Sequence, residues 1–234
     1  MRIPRQQYLK KLIASEGNGL IKIIAGIRRS GKSFLLFELF HQYLIDKGIE
    51  PNHIIEISLD HWKSNPLRDP DLLLNHIDNL IQPDGKRHYV ILDEVQLVND
   101  FVEVLLSLMQ NRQLDIYVSG SNSKFLSSDI VTEFRGRGEE IHVYPLSFKE
   151  YFEVVGGDRN QAWKNYYTFG GLPQILQFET DEKKIDYLLN LYELTYFRDI
   201  IERNHLRNPD GMKQVIQVLA SGIGAPTNPK RISN

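Results

Sequence analysis

Between a β-branched run, "LIKIIA" (20–25), and an apolar run beginning at Phe34, the chain reads Gly26-Ile27-Arg28-Arg29-Ser30-Gly31-Lys32-Ser33. A strand that becomes a helix across so short a loop has few solutions. The two glycines permit torsions that a side chain would forbid and let backbone amides approach a ligand closely. Successive N–H groups of such a loop, with the positive end of the following helix behind them, form a nest for an anion. The pattern G-x-x-x-x-G-K-S is matched without a gap, in the strand–loop–helix context that it demands, and it predicts a phosphate cradle.

The rest of the chain supplies the sheet that such a loop needs. Besides 20–25, the segments "HIIEISL" (53–59), "HYVILD" (88–93) and "LDIYVSG" (114–120) are short, β-branched or aromatic and largely non-alternating, as strands covered on both faces should be. Helical patterns lie between them at 34–45, 71–81 and 99–111. Alternating strands and helices imply right-handed βαβ units and a doubly wound parallel sheet, with "EEIHVYPL" (139–146) as a fifth strand. After Pro145 the expected helices are 147–155, 160–169, 182–203 and 210–221, broken by "VVGGD", "GGLP" and "RNPDG". In the longest, Ile185, Leu188, Leu189, Tyr192 and Tyr196 share one face and read as core packing.

Within the loop, Lys32 would supply charge to the β- and γ-phosphates and the Ser33 hydroxyl would bind Mg²⁺. The amides from Gly26 to Phe34 belong to the cradle; the side chains of Arg28 and Arg29 are expected to point to solvent or a neighbouring subunit, with contact of one guanidinium to phosphate as the alternative. Asp93 and Glu94 follow "HYVIL" at a strand end, where an aspartate can hold Mg²⁺ through water and a glutamate can polarise the attacking water. The competing reading is a polar strand end that caps the next helix. An intervening strand and a glutamate beside the aspartate mark the ATPase branch of phosphate-loop proteins, and no N-K-x-D guanine-reading motif occurs, so ATP is favoured over GTP. Ser119, Ser121 or Asn122, in "SGSNS", could sense the γ-phosphate or serve as ordinary turn residues. Arg135 and Arg137 are candidate γ-phosphate ligands, in cis or across an oligomer, or else surface residues.

Composition narrows the function classes. The chain has 234 residues and no cysteine, which excludes disulfides, thiolate zinc sites and a cysteine nucleophile and fits a reducing, cytoplasmic setting. Its formal charge of −2 gives no global reason to expect nucleic acid or an anionic membrane. No apolar run reaches transmembrane length. The start, "MRIPRQQYLKKLIAS", reads as a short amphipathic helix through Tyr8, Leu9, Leu12 and Ile13.

Together, "GIRRSGKS", "ILDEVQ", "VSGSNS", "FRGRGEEIHVYPLSFKEY", "FGGLPQ" and "YFRDIIER" resemble a widespread prokaryotic family of AAA-like ATPases. Its members carry an N-terminal ATPase domain and a C-terminal DUF4143-type domain thought to be related to restriction endonucleases. The resemblance implies an α/β P-loop NTPase fold of the ASCE, AAA-like branch, with a parallel sheet flanked by helices, then a small helical subdomain and the start of a winged helix. The corresponding division is a lead helix (1–19), an ATPase core (20–146), a helical lid (147–208) and a winged-helix opening cut short (209–234). It implies Mg²⁺ and ATP bound by Gly26–Ser33, with Asp93 and Glu94 as the metal-side and water-activating carboxylates. Gly171 and Pro173 are similar to a G-x-P motif that faces the nucleotide from the helical subdomain. The expected function is a slow, switch-like Mg·ATPase. The alternative is a non-catalytic ATP-binding scaffold that recruits DNA or a protein through its C-terminal region; for DNA, Lys213, Lys230 and Arg231 compete with the reading of a solvated helix end.

Overall fold

The structure, a computed structural model, describes residues 3–120, 134, 136–193 and 209–222. The chain divides into two compact units, residues 1–177 and 178–234.

In the first unit the chain runs α1 (Gln6–Ala14), β1 (Ile21–Ala25), α2 (32–46), β2 (Ile54–Ser58), α3 (Pro70–Leu80), β3 (His88–Asp93), α4 (Phe101–Leu108), β4 (Leu114–Gly120), β5 (Gly138–His142), α5 (Phe148–Val155) and α6 (Arg159–Phe169). The five strands form one sheet in the order β2-β3-β4-β1-β5, and every neighbouring pair is parallel. The connections after Ala25, Ser58, Asp93 and Gly120 therefore leave from one edge, the carboxyl edge where ligands bind in such sheets. Strand β4 lies between β1 and β3, so the phosphate-loop strand and the Asp93 strand are not neighbours.

The two-residue period of a strand sorts the sheet's side chains into two cores. Ile21 and Ile23 join Val90, Leu92, Ile116 and Val118 beneath α3 and α4. On the other face, Ile24, Ile91, Tyr117 and Ile141 pack against Tyr8 and Leu12 of α1 and the apolar side of α2. Both faces are covered, and β1 and β3 are buried along their whole lengths, which is why they read as continuous apolar runs.

Helix α2 comprises three successive segments, Lys32–Phe34, Leu35–Phe40 and His41–Asp46. The middle one is π-helical, a departure from the uniform helix expected over 34–45. Its i→i+5 ladder turns Leu35, Leu36, Leu39 and Phe40 together onto the core. The fifth strand is likewise shorter than expected. It ends at His142, and Val143 to Leu146 continue as a linking stretch past the end of β1. Its first amide still pairs, Val143 N–H donating to Ala25 O at 2.7 Å. Ser147 then starts α5 with a capping box, its hydroxyl accepting from Glu150 N–H while Glu150 accepts from the Ser147 amide.

In the second unit, α7 (Asp181–Asn190) starts at a Thr180 side-chain cap, and α8 spans Pro209–Ser221. Residues 194–208, which complete the helix expected over 182–203, lie outside the described residues, as does Tyr196. Ile185 and Leu189 are 48% and 56% exposed, so the stripe expected as core packing is not enclosed.

At the amino edge of the sheet a charge is buried. Lys22 Nζ, on β1, is paired with Asp115 Oδ1 and also donates to Leu20 O at 3.0 Å; both side chains are almost fully enclosed. Asp115 accepts further from Tyr117 OH at 3.0 Å and Gly17 N–H at 2.9 Å. Lys22→Met should lower the unfolding free energy by about 3–5 kcal/mol, because it strands the Asp115 charge. The double variant Lys22→Met/Asp115→Leu should recover much of that loss. Urea unfolding of the three proteins measures both.

Candidate functional site

The loop from Gly26 to Gly31 leaves the buried end of β1 and enters α2 at Lys32. Gly26 has φ 151°, and a Cβ there would lie 2.2 Å from Val143 O, so only glycine lets the loop pass the linking stretch. Gly31 has φ 96° and caps the helix, and even Arg29 adopts a left-handed φ of 65°. Ile27 and Arg29 are exposed and Ser30 is fully buried. The backbone thus has the torsions of a nest, and the side chains between the glycines fall on both sides of it.

Lys32 is 4% exposed, and its ammonium donates to Gly26 O at 2.9 Å and Ile27 O at 3.1 Å. Burial holds its pKa below the ordinary lysine value, opposed by the nearby Glu94 and Asp93 carboxylates. Ser33 donates to Asp93 Oδ2 at 2.7 Å across 60 residues of sequence. Phe34 turns its ring toward the α1/α2 core, so of this residue only the backbone belongs to the loop.

Asp93 ends β3 at 3% exposure, with its second carboxylate oxygen accepting from Ser119 Oγ. Burial pushes its pKa up; the two serine hydroxyls pull it down, and Glu94 and Asp60 add to the upward push. Glu94 follows in the left-handed region at φ 56°, ψ 44°, an uncommon conformation for a side-chain-bearing residue. Its amide donates to Ser119 Oγ at 3.3 Å, and its carboxylate accepts from Gln96 Nε2.

Ser119, a candidate sensor, is fully buried and bonded to both members of the carboxylate pair, so it supports them from beneath. Ser121, Asn122 and Arg135 lie outside the described residues. Arg137 is not brought to the loop as a ligand in cis. Its carbonyl accepts from Ile21 N–H at 2.9 Å at the start of β1, so the residue sits at the opposite edge of the sheet. Pro173 is brought in: its Cγ lies 3.8 Å from where a Gly31 Cβ would stand. Gly171 packs so tightly on the linking stretch that a Cβ would lie 2.1 Å from Leu146 O, and its carbonyl accepts from Leu146 N–H at 2.6 Å. Gln96 joins the site without having stood out as a candidate in the sequence; the only trace there is an amide two positions after a strand-end carboxylate.

The residues fit Mg²⁺ and a nucleotide phosphate. Ser30 Oγ is a buried hydroxyl without a hydrogen-bond partner, placed inside the loop. Ser33 and Asp93 pair a hydroxyl with a carboxylate, the oxygen donors Mg²⁺ prefers. Among the described residues no group of three or more histidine or acidic side chains is arranged to hold a metal. A Mg²⁺ here would therefore rest on these two residues, with water and phosphate oxygens completing its shell.

Loop, sheet order and paired carboxylates define a P-loop NTPase fold of the AAA-like branch. The chain belongs to a family described as an AAA domain, which it matches over residues 18–152. Residues 160–234 match a domain of unknown function, DUF8612, and not the DUF4143-type domain that the resemblance associates with such chains. An uncharacterized protein of Haemophilus influenzae is 30% identical over 237 aligned positions, covering 99% of this chain and 59% of the relative. One of Methanocaldococcus jannaschii is 26% identical, covering 92% of this chain and 49% of the relative. The chain thus spans about half to three-fifths of the length of these curated relatives. Among solved structures, AMPPCP-bound DnaA from Aquifex aeolicus aligns at 16% identity with TM-score 0.46, over 100% of this chain and 76% of its own. The Aeropyrum pernix ORC1 protein in complex with DNA aligns at 10% identity with TM-score 0.47, over 89% and 62%.

Two outcomes follow from the geometry. Gly171→Ala should destabilise the protein and weaken nucleotide binding together, since the new methyl meets backbone rather than a side chain that can yield. Thermal unfolding with and without ATP reads both. Asp93→Asn should raise the stability of the protein without ligand. A carboxyl whose folded pKa lies above its unfolded value stabilises below the unfolded value, and that contribution is lost as pH rises through the folded one. The advantage of Asp93→Asn should accordingly be largest at neutral pH and shrink on acidification, as denaturant midpoints measured from about pH 4 to 8 would show.

Proposed function

We propose that this chain binds Mg·ATP and hydrolyses it slowly to ADP and phosphate, working as a nucleotide-dependent switch. The observation that carries this reading is the 2.7 Å hydrogen bond from Ser33 to Asp93, which ties the loop suited to phosphate to the strand end bearing two carboxylates. The loop amides bind phosphate oxygens, and Lys32 exchanges its carbonyl partners for them. Ser33 and Asp93 would hold Mg²⁺, which when bound would supply charge neutralisation at the phosphates. Glu94 orients water and accepts its proton as the water oxygen bonds to the γ-phosphorus and the bond to the β–γ bridging oxygen breaks. The Pro173–Gly31 approach and the Gly171–Leu146 bond give a change in the loop a route to the turn that follows α6.

Single-turnover hydrolysis of radiolabelled ATP with Mg²⁺, run beside equilibrium binding, tests the reading. Glu94→Gln should keep ATP affinity and lose on the order of 100-fold or more in rate. Lys32→Ala should weaken binding about 10- to 100-fold, as loss of a charge-assisted contact does. Tight binding with no phosphate release from the unsubstituted protein would instead make it a nucleotide-held scaffold.

A further inference from the structure

Gln96 holds the carboxylate of Glu94 in an unusual way. The segment turns sharply at Glu94, whose left-handed backbone opens a short 3₁₀ turn, Val95–Leu97. That turn brings the amide back over the residue two before it, and Gln96 Nε2 donates to Glu94 Oε2. Val95, between them, is fully buried and anchors the turn in the core beneath α3 and α4. The other end of the same amide, Gln96 Oε1, is buried and accepts no hydrogen bond. Rotating the amide by half a turn would set carbonyl oxygen against carboxylate, so the observed orientation is the one that Glu94 imposes. A buried acceptor left unpaired is costly, and a site that keeps one has a use for the other end of the group.

Ser119 also engages this glutamate, its hydroxyl accepting from the Glu94 backbone amide at 3.3 Å. The main chain is thus tied to β4 while Oε2 is tied to Gln96. These two bonds limit how the carboxylate can turn.

We propose that Gln96 is the positioning residue of Glu94, a latch that fixes the carboxylate for activation of the attacking water without itself contacting ATP. This rests on the reading of Glu94 as the residue that activates water. The latch is needed for the full rate of hydrolysis and contributes little to nucleotide affinity.

The test compares Gln96→Met, similar in length but without the amide, with Gln96→Glu, Glu94→Gln and the double variant Glu94→Gln/Gln96→Met. Gln96→Met should slow single-turnover hydrolysis on the order of 10- to 100-fold, the scale of a misplaced catalytic group, with ATP affinity unchanged within about twofold. Gln96→Glu, which sets a like charge against Glu94, should be slower still. The double variant should be no slower than Glu94→Gln alone, because the latch acts only through that carboxylate. Unchanged rate in Gln96→Met, a parallel loss of affinity, or an added loss in the double variant would overturn the proposal.

A second readout needs no turnover. The Gln96 side-chain amide resonance, assigned by its disappearance in Gln96→Met, should move to the position of a free amide in Glu94→Ala; a resonance that stays put would overturn the latch. The underlying reading fails differently, by wild-type turnover in Glu94→Gln or by no turnover in the unsubstituted protein. In either case the catalytic consequence assigned to Gln96 falls, whatever the resonance shows.

Discussion

One buried carboxylate holds the site together. Asp93 sits at the end of β3 and accepts from Ser33, in the first turn of α2, and from Ser119, near the end of β4. Because β4 separates β1 from β3, no ladder joins these two strands directly, and their spacing is set through β4. Side-chain bonds to Asp93 come from two serine hydroxyls. They also offset part of the penalty of burying the carboxylate, which still leaves its pKa above the ordinary value. A structural aspartate would gain by being replaced; one poised to meet a cation has reason to remain.

A second constraint works through the backbone alone. The stretch from Val143 to Leu146 is approached from both sides by glycines, Gly26 near the Val143 carbonyl and Gly171 near the Leu146 carbonyl. At each contact there is no room for a methyl group. The phosphate loop and the turn carrying Pro173 are therefore gauged against one short segment, and the loop's own Gly31 faces Pro173. Arg29 and Glu94 both hold left-handed torsions that cost side-chain-bearing residues free energy, as do Arg5 and Asp100 at helix starts elsewhere.

Much of this is legible in the order of residues. Complete burial of β1 and β3 produces unbroken apolar runs, so these strands stand out at nearly their true bounds, and the loop motif carries its own geometry. Helix α2 is legible in place but not in kind, because a π-helical turn is chosen by how its side chains fill the core, and periodicity over so short a run does not resolve it. Ser119 is legible as a polar strand end but not in its role, since only the register of β4 against β3 shows that its hydroxyl lies under Asp93 and Glu94. Arg137 looks suitable by its place beside glycines in the sequence, yet pairing at the start of β1 puts it at the wrong edge to serve this chain's own loop in cis.

Local chemistry along the chain settles the elements and the functional groups available: a strand, a glycine-bounded loop with lysine and serine, and an aspartate–glutamate pair at a strand end. These are properties of neighbouring residues, set by torsional freedom, side-chain period and functional group. Which of them meet is a matter of packing. Inserting β4 between β1 and β3, closing Ser33 onto Asp93 and bringing Pro173 to Gly31 all depend on two cores closing over the faces of one sheet. Contacts between residues far apart in the chain arise from that closure, and no local pattern encodes them.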